Sequence, residues 1–386
     1  GYGRIGQEMT ARLCAMGMFV MVCARSENQM HMAHAAGAQV NLTLNIFAFD
    51  GDLDGMVRTA QRARDIGVDA AIVSDLGAIA RIAREAPGLD VHVSTQASTT
   101  NSESARVYKA LGAKRVVLAR EMTFEQIEAM SASIGDEIEL ETFIHGAACM
   151  SYSGRCMLSS FLNGRSANRG ACSQPCRWTY TLRERTRPEE AMPIEEDERG
   201  TAILSSRDIC MMEHLPRLME SGVCCFKIEG RMKTALYVAT VARTYRKAID
   251  DCLQSRELYE KNLPWYKEQI AACTYREFTT GFFYGKPDES SQIYDNNTYQ
   301  KGYTYLGIVG DVDAENYIHL EQRNKFSVGE MIEIMKPDGE NLAVRVEAIL
   351  NEEGEAMESA PHPQQKLRVR LSGKADACDI LRRKEA

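Results

Sequence analysis

The feature that most restricts the fold is a regular alternation, from about residue 30 onward, of short apolar runs with longer amphipathic ones. Runs of strand character occur at 40–46 (VNLTLNI), 69–74 (DAAIVS), 91–94, 115–119, 138–144 and 225–228. Helical stretches such as 54–66 and 102–111 lie between most of them. Alternating strand and helix implies parallel strands joined by right-handed crossovers, and six or more repeats favour a (β/α) barrel of the TIM type. In such a barrel the residues at strand C-terminal ends face the functional mouth. Here these are Asn45, Ser74, Asp75, Thr95, Gln96, Arg120, Glu121, His145, Lys227 and Glu229, with Arg231 just beyond. Polar residues that close apolar strands suit a site better than a core, although each taken singly is as compatible with a structural role.

The two ends of the chain differ from this pattern. Gly1-Tyr2-Gly3-Arg4-Ile5-Gly6 is a GxGxxG followed by a helical stretch and an apolar strand at 18–22. A dinucleotide fold uses such glycines for a tight turn that presents a helix N-terminus to a pyrophosphate. That use needs a strand before the first glycine, and the sequence starts on the glycine. Residues 1–29 are therefore expected to be a Rossmann-like fragment, similar to part of a dipicolinate synthase, without a bound nucleotide. The barrel is expected over 30–280, with an acidic surface excursion at 187–200 (RPEEAMPIEEDERG). From Tyr303 the pattern becomes short alternating strands, YTYLGIVG, NYIHLE, EMIEIM, LAVRVEAIL and KLRVRL, which read as a small β-barrel domain over 300–386.

The chemistry concentrates at 141–180, which contains Cys149, Cys156, Cys172 and Cys176 among glycines and small residues; Cys210 follows after the acidic stretch. Thiolates serve as soft metal ligands or nucleophiles, and small neighbours let backbone approach a bulky centre. The spacing is not that of a zinc ribbon, because no paired CxxC…CxxC occurs. Twelve cysteines with no secretory signal at the start lead to the expectation of a cytoplasmic protein with metal or redox chemistry rather than disulfides. No apolar run approaches the ~20 residues of a membrane span. Cys14, Cys23, Cys252, Cys273 and Cys378 stand alone and are expected to pack as small hydrophobes, as is one of the strand pair Cys224 and Cys225. The net charge of −8 disfavours indiscriminate nucleic-acid binding, but between Arg155 and Arg187 lie seven arginines against one acid, Glu184, interleaved with Phe161, Trp178 and Tyr180. Guanidinium groups that grip phosphates beside aromatic faces that stack bases are a pattern of single-stranded RNA recognition. A solvated basic face, or arginines that steady an anionic cluster, fits the same residues.

At ETFIHGAAC (141–149), followed after four residues by GRCMLS (154–159), the sequence resembles the signature of the collagenase-like peptidases, peptidase family 32 of unassigned catalytic type. That family includes the prephenate-dependent tRNA uridine hydroxylases. The resemblance departs at Ala148, where a larger aliphatic residue is usual. It extends through TLNIFA (43–48), STQAS (94–98), RVVLARE (115–121), NRGACSQPCRW (168–178), FKIEGRMK (226–233) and APHPQQK (360–366). The family opens with two further strands and an APAG-type turn that are not found here, so the barrel is expected to be incomplete at its N-terminus. The resemblance implies a [4Fe-4S] cluster on Cys149, Cys156, Cys172 and Cys210, with Cys176 as the alternative fourth ligand. It implies hydroxylation of the wobble uridine of tRNA at ring C5, with prephenate as co-substrate. Arg120 and Arg231 would then hold the carboxylates of this small dicarboxylic acid, and Glu141 and Glu229 would be candidates for proton transfer. The competing expectation is a cysteine peptidase, for which His145, Cys149 and Glu141 can be drawn as a dyad with an orienting acid. No HExxH occurs and the seven histidines are scattered, which disfavours a metallopeptidase. A third possibility is an inactive RNA-binding fusion that keeps the cluster only as scaffold.

Overall fold

The computed structural model describes residues 31, 34–35, 37–149, 151–178, 182–183, 191–192, 207–230, 233–273, 277–287, 302–336 and 339–385. The GxGxxG, the 18–22 strand, most of the acidic excursion, Tyr180 and Arg231 lie outside the described residues. The chain divides into two compact units, one of 40–229 with 276–299, the other of 1–39 and 230–275 with 300–386.

The first unit is the α/β one. Its strands are β1 (Asn41–Leu44), β2 (Ala70–Val73), β3 (Asp90–Val93), β4 (Arg115–Val117), β5 (Glu139–Ala147), β6 (Asp208–Cys210), β7 (Cys225–Ile228) and β8 (Phe278–Thr279), forming an eight-stranded sheet among the described residues. β1 to β5 pair in sequence order and in parallel, and β7 lies parallel to β5. The last three residues of β5 pair antiparallel with β6. Between the strands run α1 (Asp50–Asp65), α2 (Leu76–Glu85), α3 (Ser102–Ala110) and α4 (Phe124–Ile134). Each helix start has a local chemical cause. Asp75, Asn101 and Thr123 each accept a hydrogen bond from an N–H of the first turn, satisfying one of the donors a helix N-terminus leaves open. The helices bury one apolar stripe against the sheet, for example Ala78, Ile79 and Ile82 of α2. β5 runs three residues past the apolar stretch at 138–144, through His145, Gly146 and Ala147.

The second unit joins α5 (Ala235–Gln254) and α6 (Arg256–Ala271) to six principal antiparallel strands, β9 (Tyr303–Val312), β10 (Ile318–Glu321), β11 (Met331–Met335), β12 (Asn341–Leu350), β13 (Lys366–Leu371) and β14 (Ile380–Lys384). The pairing runs β11–β14–β9–β10–β13–β12, and β12 returns to β11, so the sheet closes into a barrel without free edges. Leu306, Val309, Phe326, Ile334, Val346, Val369 and Leu371 fill its interior. The range 30–280 expected for the large barrel includes α5 and α6, and in the structure both helices also bond to the small sheet. Two buried arginines make these bonds. Arg243 of α5 donates to Gln269 of α6 at 2.7 Å and to the Lys336 carbonyl at 2.9 Å, while Arg382 of β14 donates to the same Gln269 oxygen at 3.2 Å and pairs with Glu333 at 2.8 Å. Desolvated guanidinium groups need several matched acceptors, and this packing supplies them. β14 (ILRRK) was invisible as a strand because its charges mask burial; Arg382 instead lies over the Tyr303 ring at 4.2 Å. No described helix of either unit is long and apolar enough to cross a membrane.

Candidate active site

Inside the α/β unit a charged column rises along β4, β5 and β7. Glu141, 1 % exposed, accepts from Lys227 Nζ at 2.5 Å and from Arg115 Nη1 at 3.3 Å. Burial alone would raise the Glu141 pKa, but Lys227 and Arg115 outweigh it and hold the carboxyl below its usual range. Cys225 sits in the same group, its thiol pushed up to about 12 by burial and by the Glu141 charge. His92, buried and beside Arg115, has its pKa lowered to about 4 by desolvation first and by that cation second. Glu141 is an ionised anchor of the interior, two residues before Phe143, over whose ring both Arg120 and Lys227 lie, at 3.7 and 5.6 Å.

The mouth is organised by Arg120, just past β4. Its guanidinium lies over the Phe143 ring at 3.7 Å, donates to Glu229 at 2.6 Å and to the Ser153 hydroxyl, and leaves a buried Nε with no partner among the described residues. Glu229 reaches that position because its N–H donates to the His145 carbonyl at 2.9 Å and its backbone crosses directly over Gly146. A Cβ on Gly146 would stand 2.5 Å from the Glu229 carbonyl oxygen, and the glycine also has φ +117°. Only glycine allows that crossing. Cys149 follows, accessible yet set in a recess. Burial raises its thiol pKa, Arg120 pulls against this, Glu229 adds to it, and Cys172 is close enough to raise it further. Arg120, Glu229, Ser153, Cys149 and Cys172 therefore form one constellation. Ser153 had no signal in the sequence, since nothing local distinguishes it from its serine neighbours.

The glycine-rich segment that carries the cysteines is tied across the strand ends. Gly154 packs against the Gln96 side chain, where a Cβ would stand 2.9 Å from it. The Asn168 carbonyl accepts from Phe47 N at 3.1 Å, and Arg169 donates to the Phe47 carbonyl at 2.9 Å and pairs with Asp52 at 2.8 Å. Asp52 in turn accepts from Phe49 N at 3.0 Å, and Arg155 lies over the Phe47 ring at 5.1 Å. The β1–α1 loop with Phe47 and Phe49, and Asp52 in the first turn of α1, are thus part of the site; sequence reading touched Phe47 only within TLNIFA and passed over Phe49 and Asp52, for which the aromatic pair in IFAFD was the available signal. Other strand-end residues are stitches. Asn45 Nδ2 donates to Ser94 Oγ at 3.1 Å, Ser74 Oγ to the Asn45 carbonyl at 3.0 Å, and Thr95 Oγ1 to the Leu118 carbonyl at 3.0 Å. His145 is buried with its ring against Phe278 at 5.6 Å, and Cys210 stands opposite it in the β5–β6 register.

Among the described residues no three His, Cys, Asp or Glu side chains converge where one metal ion could be shared. A four-iron cluster makes a different demand, one thiolate for each iron. In donor chemistry the residues present fit that demand. Cys149, Cys156, Cys172, Cys176 and Cys210 are thiols outside any disulfide and each has some exposure, and Gln174 N–H donates to Cys172 Sγ at 3.3 Å. Hydrogen bonds of this kind tune cluster thiolates.

Residues 8–293 match the sequence model of Peptidase family U32, and residues 301–382 that of the Peptidase family U32 C-terminal domain. The chain belongs to peptidase family U32. The matched stretch begins inside the expected Rossmann-like fragment. The chain is 36% identical over 355 residues to "tRNA hydroxylation protein P1" of Bacillus subtilis, covering 92% of this chain and 83% of that protein. It is 33% identical over 374 residues to "tRNA hydroxylation protein P" of Escherichia coli, covering 85% and 80%. A "Collagenase" of Porphyromonas gingivalis is 35% identical over 260 residues, covering 65% of this chain and 60% of that one. The U32 family and the α/β barrel-like fold with a C-terminal β domain, both expected from sequence, are therefore borne out.

Proposed function

We propose that this chain is an RNA-modifying enzyme that hydroxylates a tRNA base, the wobble uridine at ring C5, with prephenate as co-substrate. The observation that carries this reading is the constellation of Arg120, Glu229, Ser153, Cys149 and Cys172 at the strand ends. It combines a guanidinium for a carboxylate with thiols for a soft metal centre, and the tRNA hydroxylation relatives support the substrate. Cys149, Cys156, Cys172 and either Cys210 or Cys176 would hold a [4Fe-4S] cluster. Such a cluster, when bound, supplies single-electron chemistry. Arg120 binds a co-substrate carboxylate through its unpartnered Nε, and Ser153 is a neutral partner that a carboxylate can displace. Arg231 is proposed to hold the second carboxylate. Phe143 fixes the guanidinium plane from below. Glu229 orients Arg120 and would accept or return a proton at its carboxylate, and Glu141, bonded to Lys227 beside the same Phe143 ring, is the second candidate for that role.

The peptidase reading draws less support. The groups that set the Cys149 environment are Arg120, Glu229, Ser153 and Cys172, and His145 packs its ring on Phe278. The test is anaerobic purification with iron and sulfide analysis, followed by nucleoside mass spectrometry of tRNA incubated with and without prephenate. The expected result is about four irons per chain, lowered by Cys149→Ala or Cys172→Ala, and a prephenate-dependent hydroxyuridine that disappears in Arg120→Ala. A folded iron-free protein that cleaves peptides and leaves tRNA unchanged would overturn the reading.

A further inference from the structure

The rim beside this mouth carries large apolar side chains that stand exposed among the described residues. Phe161 is 85% exposed and Phe49 70% exposed, and Trp178 is exposed as well. Phe161 sits on the short helix Leu158–Asn163. That helix is fastened to the rest of the segment through Ser159, whose hydroxyl lies 3.0 Å from the Ser173 hydroxyl and accepts from Ser173 N at 3.1 Å. The turn Pro175–Arg177 packs on the same helix and leads into Trp178. The turn Ala167–Arg169 also packs on it, and Arg169 lies over the Phe49 ring at 5.5 Å. Phe49, Phe161 and Trp178 thus belong to one stitched surface rather than to separate loops.

The charge of that surface is unlike the rest of the chain. Residues 149–178 contain four arginines and no acid, in a chain of net charge −8, so everything else sums to −8 − 4 = −12. Arg155 and Arg165 are exposed and have no ion pair among the described residues. Exposed aromatic rings cost apolar hydration unless a partner covers them, and unpaired guanidinium groups call for anions. A ligand with flat faces and a regular anionic backbone answers both demands. Duplex nucleic acid hides its base faces, so an unpaired strand fits better.

We propose that Phe49, Phe161 and Trp178, with Arg155 and Arg165, form a stacking platform for a single-stranded RNA segment flanking the base delivered to the mouth. This rests on the RNA-hydroxylation reading and assigns the residues that seat the RNA. The aromatic faces take bases without regard to sequence, and the two arginines take phosphates.

The test measures binding of the anaerobically prepared chain to a fluorescent uridine-rich single-stranded RNA and to the same sequence as a duplex. One stacked base contributes about 1–3 kcal/mol, so Phe161→Ala should weaken single-strand binding about 5- to 150-fold, and Phe161→Trp should restore it. Arg155→Ala with Arg165→Ala should reduce the slope of log K against log salt by about 1.4, at about 0.7 for each phosphate contact on a single strand. Phe161 and Phe49 are so exposed that their alanine variants keep the fold, which circular dichroism verifies. Unchanged affinity in both phenylalanine variants, while the wild type still hydroxylates tRNA, overturns the platform alone and leaves the rim to a protein partner. A wild type that neither binds RNA nor hydroxylates it overturns both proposals. Equal affinity for duplex and single strand also overturns the platform.

Discussion

Replacing Lys227 by methionine tests the charged column inside the α/β unit. Lys227 Nζ is 2.5 Å from Glu141, whose side chain is 1 % exposed, and the remaining cation, Arg115 Nη1, is 3.3 Å away and shared with Glu139. Removing one partner of a buried ion pair costs about 3–5 kcal/mol, because the other charge stays desolvated. Arg115 persists, so Lys227→Met should cost about 3 kcal/mol at neutral pH. The pH dependence gives a second handle. In the wild type the Glu141 pKa is held below its ordinary value, so its stabilisation is complete above the unfolded carboxylate range and fades as pH falls through the folded pKa. In the variant burial, already the largest single influence, loses its main counterweight and pushes that pKa up. The folded state then takes up a proton more readily than the unfolded one, and the penalty grows as pH rises through the raised pKa. Urea denaturation followed by circular dichroism should therefore show a large gap between variant and wild type at neutral pH that narrows near pH 5. The double variant Lys227→Met with Glu141→Leu should regain most of the loss, since no buried charge remains and Arg115 keeps Glu139. A loss below about 1 kcal/mol, or a gap equal at both pH values, would refute the view that Lys227 holds Glu141 ionised.

Three further outcomes follow from the same geometry. Gly146→Ala should cost about 1–3 kcal/mol in a thermal melt and lower tRNA hydroxylation, since φ is +117° and the new Cβ meets the Glu229 carbonyl at 2.5 Å. An unchanged melt and unchanged product yield would show that the Glu229 crossing is not fixed. His92→Leu should be close to neutral at pH 7 and should flatten the acid limb. The folded His92 pKa of about 4 lies below the unfolded value, so about 3 kcal/mol of wild-type stability is lost as pH falls from about 6.5 to 4. Equal acid sensitivity of the two proteins in denaturant midpoints would contradict this. Arg382→Met should destabilise the C-terminal unit by about 2–3 kcal/mol, because Glu333 and Gln269 lose a charge-assisted donor; calorimetry of the whole chain would detect it.

Strand and helix positions in the α/β unit were legible because periodicity is a local property. The 69–74, 91–94 and 225–228 runs agree with their strands to within a residue or so, and the caps at Asn101 and Thr123 are short-range hydrogen bonds written into a few consecutive residues. The cysteine segment and Arg120 were also visible, from residue type and from their place at strand ends. Three things were not. Ser153 joins Arg120 across 33 residues and Glu229 joins it across 109, and no local pattern marks such a partner. Glu141 was visible as a candidate acid within the family signature, but its pairing with Lys227 across 86 residues and with Arg115 across 26 was not. β14 and the partners of α5 and α6 stayed hidden because their burial is carried by Arg243 and Arg382, and charged residues read as surface in one dimension.

The sequence by itself determined the family, the α/β alternation, the closed β domain and the cysteine-rich, acid-free segment, since each is carried by residue type and short-range order. Tertiary structure alone decided which polar groups share one recess, which acid anchors the interior and which faces remain bare. Hydrogen bonds and ion pairs act over a few ångströms in space, and separations along the chain do not report those distances.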